Sequence, residues 1–271
     1  MFMEPIVSSS NPLIKSIRRL ARRRQREKEK KFVVEGVRFV EEAFNSRWPL
    51  EVVLTGPGFA GPGRDELAGA LKSGGIRLVE VSAAIIDELA ETESPQGIIA
   101  VAAMPWWGTE SLLREVPRRS AALMVVDGVQ DPGNLGTIIR SADAFGVDGV
   151  MLTRGTVDLY NPKTLRSTMG SIFHLPVLAN LEVEYIAGFL GEHQITLVLG
   201  DPEAKLPLTA VDLARPVALL VGSEARGPSG EFMRCQHITA GIPMPGRAES
   251  LNAGVAASIM LYEMARQRSS T

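Results

Sequence analysis

Continuous apolar runs recur in the second half of the chain, and each run ends in a glycine and an acidic residue. Residues 122–128 read ALMVVDG, 195–201 read ITLVLGD and 217–224 read VALLVGSE. Strands that are apolar at every position are typical of parallel sheets covered on both faces. With helical patterns between the runs, the second half predicts an α/β domain, with further strands at 149–153 and 237–244.

Three helices are predicted between and after these strands, because their apolar residues recur at helical spacing. Asn134 is expected to cap the first helix, since asparagine is favoured at helix N-caps. The last helix is expected to carry Leu251, Val255, Ile259 and Tyr262 on one face. The three helices are predicted at 134–145, 161–171 and 251–268.

The first hundred residues also alternate between strand and helix patterns, which predicts a second, smaller α/β domain. Between the two domains the composition changes to prolines, adjacent tryptophans and arginines, which is typical of a linker. The predicted strands are 32–36, 51–55, 76–81 and 97–103, and the predicted helices are 37–45, 64–72 and 83–91.

The amino-terminal segment carries a concentrated positive charge. Residues 15–31 hold ten Lys or Arg against two Glu, although the chain as a whole has a net charge of −2. Asn11 and Pro12 predict the start of a helix with two different faces. The apolar face is formed by Leu13, Ile14, Ile17, Leu20 and Ala21, and the cationic face by Lys15, Arg18, Arg19, Arg22, Arg23 and Arg26. Such a face is either a solvated surface or an RNA-binding surface. The absence of acidic residues from 15–26 favours RNA.

The segment 56–61 matches G-x-G-x-x-G after a predicted strand, with Glu80 where a ribose-binding acid would lie. Pro57 and Pro62 remove backbone donors that a pyrophosphate would need. The segment is therefore interpreted as a surface loop.

Several functional classes are disfavoured by composition. The single cysteine, Cys235, excludes an internal disulfide, and the three histidines lack metal-ligand spacing, so no structural metal is expected. No apolar run is long enough for a membrane span, and no signal peptide is recognisable. A cytoplasmic protein is the simplest interpretation.

Three polar, glycine-containing clusters follow apolar strands, at 127–140, 221–227 and 242–252. Taken one at a time, each is equally consistent with a helix cap or a turn. Because the carboxyl ends of parallel strands share one edge, where open α/β sheets bind ligands, the three together predict a binding site. Arg140 is expected on the same helix face as Asn134.

The three clusters, in this order and spacing, resemble the motifs of the SpoU/TrmH family of RNA 2′-O-ribose methyltransferases. The family pattern N-x-G-x-x-x-R matches 134–140, G-x-E-x-x-G matches 222–227, and I-P-M…S-L-N-x-x-V-A matches 242–256. The segments 158–170 and 32–38 also resemble the family's ribosomal-RNA members. The resemblance spans nearly the whole chain.

This resemblance implies the fold and the activity. The fold would be a SPOUT-type α/β catalytic domain with a deep trefoil knot at 121–271, a linker at 105–120, and an L30e-like α/β domain at 1–104 that binds substrate RNA. The expected activity is methylation of a ribose 2′-hydroxyl in RNA, with 23S ribosomal RNA as the favoured substrate. The resemblance also implies a homodimer with active sites at its interface, and S-adenosylmethionine as cofactor without a metal.

Site residues are carried over from the matched motifs. The expected catalytic residues are Asn134, Arg140, Glu224, Ser250 and Asn252. The expected cofactor-binding residues are Leu199, Gly200, Gly222, Ile242, Met244 and Leu251. The expected RNA-binding residues are Lys15, Arg18, Arg22, Arg38 and Arg166. Arg140 would act either as the base or as a cation that binds phosphate and stabilises the oxygen, and arginine's high pKa makes the first role chemically difficult.

Three alternatives compete with this interpretation. A transfer-RNA 2′-O-methyltransferase would use the same motifs. A base methyltransferase with a related knotted fold fits the ribose-methylating motifs less well. A non-catalytic L30e-type RNA-binding protein with a degenerate knot domain is disfavoured because every expected catalytic residue is present.

Overall fold

The computed structural model describes residues 4–105, 107–112 and 121–269, and the chain divides into two compact units, Met1–Trp106 and Trp107–Thr271. Within the predicted linker, Leu112 is buried in the core of the second unit. Residues 106 and 113–120, the greater part of that linker, lie outside the described residues.

The first unit is built on a four-stranded sheet with the order β1-β4-β2-β3. Strand β4 pairs antiparallel with β1 and β2, and β2 pairs parallel with β3. The predicted strands and helices are confirmed, with ends that move by one or two residues. The elements are α1 Pro12–Arg19, α2 Arg23–Glu29, β1 Lys31–Glu35, α3 Val37–Asn45, β2 Leu50–Thr55, α4 Arg64–Ser73, β3 Leu78–Glu80, α5 Ala83–Leu89 and β4 Ile98–Ala103.

The amino-terminal helix begins as predicted but is not continuous. The Asn11 side chain accepts a hydrogen bond from the backbone of Leu13, 2.9 Å away, and caps α1. The chain then turns between α1 and α2, where Arg26 is buried and donates to the carbonyl oxygens of Leu20 and Ala21, each at 2.8 Å. These carbonyls lack an intrahelical partner at the helix end, so a buried guanidinium stabilises the turn. The prediction that Arg26 belongs to the exposed cationic face is therefore wrong.

The second unit is built on a six-stranded, all-parallel sheet with the order β10-β8-β9-β5-β6-β7. The prediction of a parallel α/β fold is confirmed. Sequence patterns missed β7, α8 and α9, because the edge strand β7 has only a partly buried, mixed sequence. The elements are β5 Ala122–Val126, α6 Pro132–Ala144, β6 Gly149–Thr153, α7 Pro162–Thr168, β7 Val177–Leu181, α8 Val183–Glu192, β8 Thr196–Gly200, β9 Val217–Val221, α9 Gly230–Met233, β10 Ile238–Ala240 and α10 Ala253–Ser269.

Two predictions about the helices of this unit are corrected. Helix α6 begins at Pro132, and its cap is Asp131, whose side chain accepts from the backbone of Asn134 at 2.8 Å. Asn134 therefore lies in the first turn, with its side chain available for other contacts, because an aspartate before a proline is a stronger helix start.

The predicted apolar face of α10 is exposed. Val255, Ile259 and Tyr262 are 47%, 36% and 55% exposed, whereas Leu261 and Met264 on another face are buried. The sheet-facing residues of α10 are thus not those that the apolar spacing suggested.

The order of the strands places the three clusters together. Strands β5 and β9 are neighbours at the centre of the sheet, and β8 and β10 continue it on the β9 side. Their carboxyl ends lie along one edge, which is where open α/β sheets bind ligands. A deep trefoil knot stays a prediction of the resemblance. No helix within the described residues is long and apolar enough to cross a bilayer.

Candidate active site

A cavity of about 160 Å³ opens at the carboxyl edge of the parallel sheet. Its walls come from the ends of β8 and β9, from the loop after β10 and from the start of α10. Five of the six expected cofactor-binding residues line it: Gly200, Gly222, Ile242, Met244 and Leu251. Leu199 has no exposed surface and lies in the core of the sheet instead.

Gly222 allows two loops to meet at the wall of this cavity. A Cβ atom on Gly222 would lie 2.0 Å from the backbone carbon of Gly227 and 2.1 Å from the backbone nitrogen of Pro228. Backbone atoms cannot give way as a flexible side chain can, so only glycine permits this packing. The loop 222–228 therefore folds back tightly on the end of β9, and its polar residue Glu224 stands at the cavity.

The three clusters are joined by a chain of hydrogen bonds. Asn252 donates from Nδ2 to Oδ1 of Asn134 at 2.8 Å, and Asn134 donates from Nδ2 to Oε1 of Glu224 at 2.7 Å. We refer to Asn134, Glu224 and Asn252 as the amide–carboxylate chain. One residue comes from each of the predicted clusters, so these clusters converge at one place on the molecule.

Both amides in this chain have a fixed orientation. The Oδ1 of Asn252 accepts from the backbone N–H groups of Gly254 and Val255 at the start of α10, at 2.9 and 3.2 Å. Its Nδ2 must therefore point at Asn134. The carboxylate of Glu224 can only accept, so the Nδ2 of Asn134 must point at Glu224. The helix start at one end and the carboxylate at the other determine the direction of every donor between them.

Glu224 is held as a carboxylate. Burial raises its pKa, but hydrogen bonds from the Asn134 side chain and from backbone N–H groups, including that of Gln130, outweigh burial and lower the pKa below its ordinary value. Oε2 of Glu224 lies 3.4 Å from the Gln130 nitrogen. The cluster 127–140 contains a second stabilised carboxylate, since the backbone N–H of Asn134 lowers the pKa of Asp131.

Asp127 ties the second cluster to the sheet, and sequence reasoning did not single it out. It is buried at the end of β5, where Oδ1 accepts from the Thr153 hydroxyl at 2.9 Å and Oδ2 accepts from the Ser229 backbone at 2.7 Å. The loop that carries Glu224 is thereby anchored to β5 and β6. The signal available in the sequence was an acidic residue directly after a buried strand.

Arg140 does not join the amide–carboxylate chain. Residues on α6 that are six apart differ by about 120° around the helix axis, so Arg140 and Asn134 do not share a face as the sequence analysis expected. Ser141 faces α10, where its hydroxyl lies 2.7 Å from that of Ser258. Arg140 is exposed, and among the described residues it makes no hydrogen bond or ion pair.

Ser250, the remaining expected catalytic residue, lines the cavity and is exposed. The loop 242–252 thus contributes to the cavity wall through Ile242, Met244 and Leu251 and to the polar chain through Asn252. Among the described residues, no group of three His, Cys, Asp or Glu could hold a metal ion.

The expected RNA-binding residues lie in both units and are not all equivalent. Arg18 forms an ion pair with Glu88 and donates to the Ser9 carbonyl at 3.2 Å. Arg166 is exposed on α7 of the second unit. The other three are Lys15 on α1, Arg22 in the turn between α1 and α2, and Arg38 on α3.

Both halves of the chain match known protein families. Residues 121–262 match the SpoU rRNA methylase family, and residues 11–100 match the MRM3-like substrate binding domain. The chain is 34% identical to a 23S rRNA (guanosine(2553)-2′-O)-methyltransferase of Bacillus subtilis, over 97% of this chain and 99% of that protein. It is 33% identical to a 23S rRNA (uridine(2479)-2′-O)-methyltransferase of Streptomyces viridochromogenes, over 92% of this chain and 87% of that protein.

Solved structures resemble the whole chain as well. The crystal structure of an RNA 2′-O ribose methyltransferase, 35% identical, superposes with a TM-score of 0.82 and covers 98% of this chain and 99% of that chain. The SpoU methyltransferase AviRb from Streptomyces viridochromogenes in complex with AdoMet, 29% identical, superposes with a TM-score of 0.86 and covers 96% of this chain and all of that chain (100%).

Proposed function

Because the chain belongs to the SpoU rRNA methylase family, we propose that it transfers a methyl group from S-adenosylmethionine to the 2′-hydroxyl of a ribose in 23S ribosomal RNA. The main support for this proposal is the amide–carboxylate chain beside the cavity. The protein is also similar, over nearly their full length, to relatives that are 23S rRNA 2′-O-methyltransferases. The enzyme class and the RNA substrate follow from the family, and the residue roles are inferred from the geometry.

The cavity fits S-adenosylmethionine. Gly200 and Gly222 present bare backbone, and Ile242, Met244 and Leu251 present apolar surface, which together suit a flat adenine ring with hydrogen-bonding edges. When bound, the cofactor supplies a methyl group on a positively charged sulfur. The protein's own task is then to place and activate the ribose oxygen.

Arg140 is the residue we assign to the ribose oxygen. As the 2′-oxygen is methylated, the hydroxyl proton passes to bulk water, and negative charge develops on that oxygen during the transfer. A guanidinium stays protonated and presents a planar fork of donors, so it is suited to stabilise the oxygen and the neighbouring phosphate. Glu224 and Ser250 line the cavity, and Asn134 and Asn252 are hydrogen-bonded in sequence to Glu224.

A homodimer would bring these parts together. Arg140 of the same subunit lies off the face that forms the amide–carboxylate chain, so a second copy can supply it. The exposed apolar face of α10 supports such an interface, since Val255, Ile259 and Tyr262 stand outside the core. Tyr262 packs edge-on against Phe145, with ring centroids 6.0 Å apart, which extends the apolar surface toward the end of α6.

The first unit would bind the RNA. Its match to a substrate-binding domain and its cationic amino-terminal segment support this role. Lys15, Arg22 and Arg38 carry the inference, together with Arg166 of the second unit. Arg18 contributes less, because Glu88 already neutralises part of its charge. We place the reaction in the cytoplasm, which agrees with the single cysteine of the chain.

Transfer of labelled methyl groups tests this proposal. Purified protein is incubated with labelled S-adenosylmethionine and unmodified 23S ribosomal RNA, 16S ribosomal RNA or bulk transfer RNA in parallel. Incorporation into 23S RNA alone is expected. Incorporation into transfer RNA alone would identify the protein as a transfer-RNA 2′-O-methyltransferase instead. If folded protein transfers no label to any of these RNAs, the proposal is contradicted.

A further inference from the structure

Helix α7 brings a lysine to the edge of the candidate active site. Asn161 caps this helix by accepting from the Lys163 backbone at 2.9 Å, and Pro162 occupies its first turn. The helix packs closely on α6 because Gly136 has no side chain: a Cβ there would lie 2.3 Å from Cβ of Ser167 and 2.8 Å from the Thr164 carbonyl oxygen. The position of Lys163 is therefore set by the two helices.

The Lys163 ammonium group lies two contacts away from the amide–carboxylate chain. Its Nζ is 3.5 Å from Oδ2 of Asp131, and Oδ1 of Asp131 accepts from the Asn134 backbone at 2.8 Å. The side chain of the same Asn134 donates to Glu224. Lys163 also passes beside Gly133, where an added Cβ would be 3.9 Å from its Cε atom.

This part of the site carries negative charge that an RNA substrate must overcome. Both Asp131 and Glu224 have lowered pKa values and are carboxylates at neutral pH. A phosphate that approaches the target ribose meets this repulsion unless a cation accompanies it. Lys163 is 59% exposed and has three N–H donors, of which the one long contact to Asp131 uses at most one.

A purely structural role explains the ion pair poorly. Lys163 and Asp131 are 59% and 47% exposed, and ion pairs at such exposure contribute about 0–1 kcal/mol to stability. Helix α6 is capped by the Asp131 oxygen that faces Asn134, not by the one that faces Lys163. The lysine is therefore not needed to hold the helix start in place.

We propose that Lys163 binds a phosphate group of the substrate RNA next to the target ribose. In the free protein Asp131 holds the lysine in position, and in the RNA complex the phosphate replaces Asp131 as the partner of Lys163. This inference rests on the proposed function and adds a residue that binds and positions the substrate. In the RNA complex, the ammonium group donates to a phosphate oxygen and the Asp131 carboxylate keeps its bond to the backbone of Asn134.

The test compares Lys163→Ala and Lys163→Arg with a control, Arg215→Ala. Arg215 is also an ion-paired surface cation of the second unit, bonded to Asp212 at 2.7 Å, but it precedes β9 and so lies at the opposite edge of the sheet. The full-length protein is assayed with 23S RNA for KM, for kcat, and for RNA affinity across a range of salt concentrations.

For Lys163→Ala, we expect the KM for RNA to rise about tenfold, which corresponds to about 1.4 kcal/mol, because a charge-assisted hydrogen bond to phosphate is lost. The slope of log affinity against log salt should fall by about one, as expected when one phosphate contact is lost. Lys163→Arg should retain most of the affinity, and S-adenosylmethionine binding and the thermal midpoint should match the wild type.

A second variant tests the role of Asp131. Asp131→Asn keeps an oxygen that can cap α6 but removes the charge that competes with phosphate for Lys163. Tighter RNA binding than wild type supports the proposal, and unchanged or weaker binding contradicts the exchange of partners.

Different results would contradict the role of Lys163 and the proposed function. If the wild type methylates RNA while Lys163→Ala behaves like Arg215→Ala in KM and salt slope, the role of Lys163 is wrong and the proposed function stands. If the wild type transfers no methyl group to any RNA, the proposed function fails, and the role of Lys163 fails with it.

Discussion

At the scale of single residues, the candidate site is defined by the direction of its hydrogen bonds as much as by their lengths. Asn252 accepts from the start of α10 and donates to Asn134, which in turn donates to Glu224. Each amide has only one possible orientation, because the hydrogen bonds to its neighbours determine which of its atoms donates and which accepts. The amide–carboxylate chain can therefore hold a substrate group in a defined position without rearrangement. A reaction that depends mainly on positioning requires such a fixed site.

The charge of Glu224 gives a prediction about pH. Because its folded-state pKa lies below the ordinary value of 4.5, the carboxylate stabilises the fold at neutral pH, and this contribution is lost as the pH falls through the folded-state pKa. The free energy of unfolding of Glu224→Gln should thus be lower than that of the wild type at pH 7, with a difference that shrinks below about pH 4.5. Denaturant titrations from pH 7 to pH 3 measure it, with exposed Glu203→Gln as control. A difference that does not change with pH contradicts the assignment.

Arg140 gives a prediction about the reaction itself. If the planar guanidinium grips oxygen and phosphate together, Arg140→Lys keeps the charge but loses the paired donors. We expect kcat to fall by about 100-fold or more, the magnitude seen when one stabilising donor is removed. Binding of S-adenosylmethionine, measured by calorimetry, should remain at the wild-type level. Near-wild-type turnover in this variant would rule out the role.

At the scale of elements, the site depends on how closely helices approach one another. Helix α6 contacts α10 on one side, through Asn134 and Ser141, and α7 on another, through Gly136. These two contacts determine where the amide–carboxylate chain and Lys163 lie. A change that separates α6 from α7 is therefore expected to affect both stability and RNA binding.

Gly136→Ala tests this packing. The new Cβ would overlap Ser167 and the Thr164 carbonyl oxygen, so we expect a loss of about 1–3 kcal/mol in the free energy of unfolding. Gly188→Ala, in α8, is the matched control, because a Cβ there meets nothing within 4 Å. Alanine is preferred over glycine inside helices by about 1 kcal/mol, so this control should be slightly stabilised. Equal effects in the two variants would show that the close approach of α7 is unimportant.

The elements also show where sequence patterns are sufficient. The fully apolar strands β5 and β9 and the helix α3 could be predicted, since burial on both faces or a regular apolar spacing leaves a clear signal. The turn between α1 and α2 could not, because it depends on Arg26 reaching back to two carbonyl groups. The predicted start of α6 at Asn134 is wrong because Asp131 is also a good cap and is followed by Pro132, which is favoured in the first turn of a helix.

At the scale of the whole molecule, the chain resembles known ribose methyltransferases over both of its units. Sequence motifs identified residues from three distant segments, and the parallel sheet brings Asn134, Glu224 and Asn252 together. Arg140 faces elsewhere on α6, and its spacing already indicates this, because six residues rotate by about 120° around a helix axis. The proposed homodimer would supply this cation from a second subunit.

The dimer is tested at the exposed face of α10. Tyr262→Glu places a charge on that face, and we expect it to convert a dimer into a monomer in sedimentation analysis and to reduce methyl transfer by at least about tenfold, since a buried unpaired charge costs several kcal/mol. Met233→Glu is the control, because Met233 is 47% exposed on α9, which packs against α8, whereas α10 packs against α6. A wild-type protein that sediments as a monomer and is fully active would contradict the dimer.

The most direct test of the central claim is the chemical position of the transferred methyl group. Alkaline hydrolysis cleaves RNA through the free 2′-hydroxyl, so a nucleotide methylated there resists cleavage at its own 3′ phosphate. After transfer of labelled methyl groups to unmodified 23S RNA, we predict that the label is recovered in alkali-resistant dinucleotides. Recovery of the label in single nucleotides would place the methyl group on a base and contradict the account.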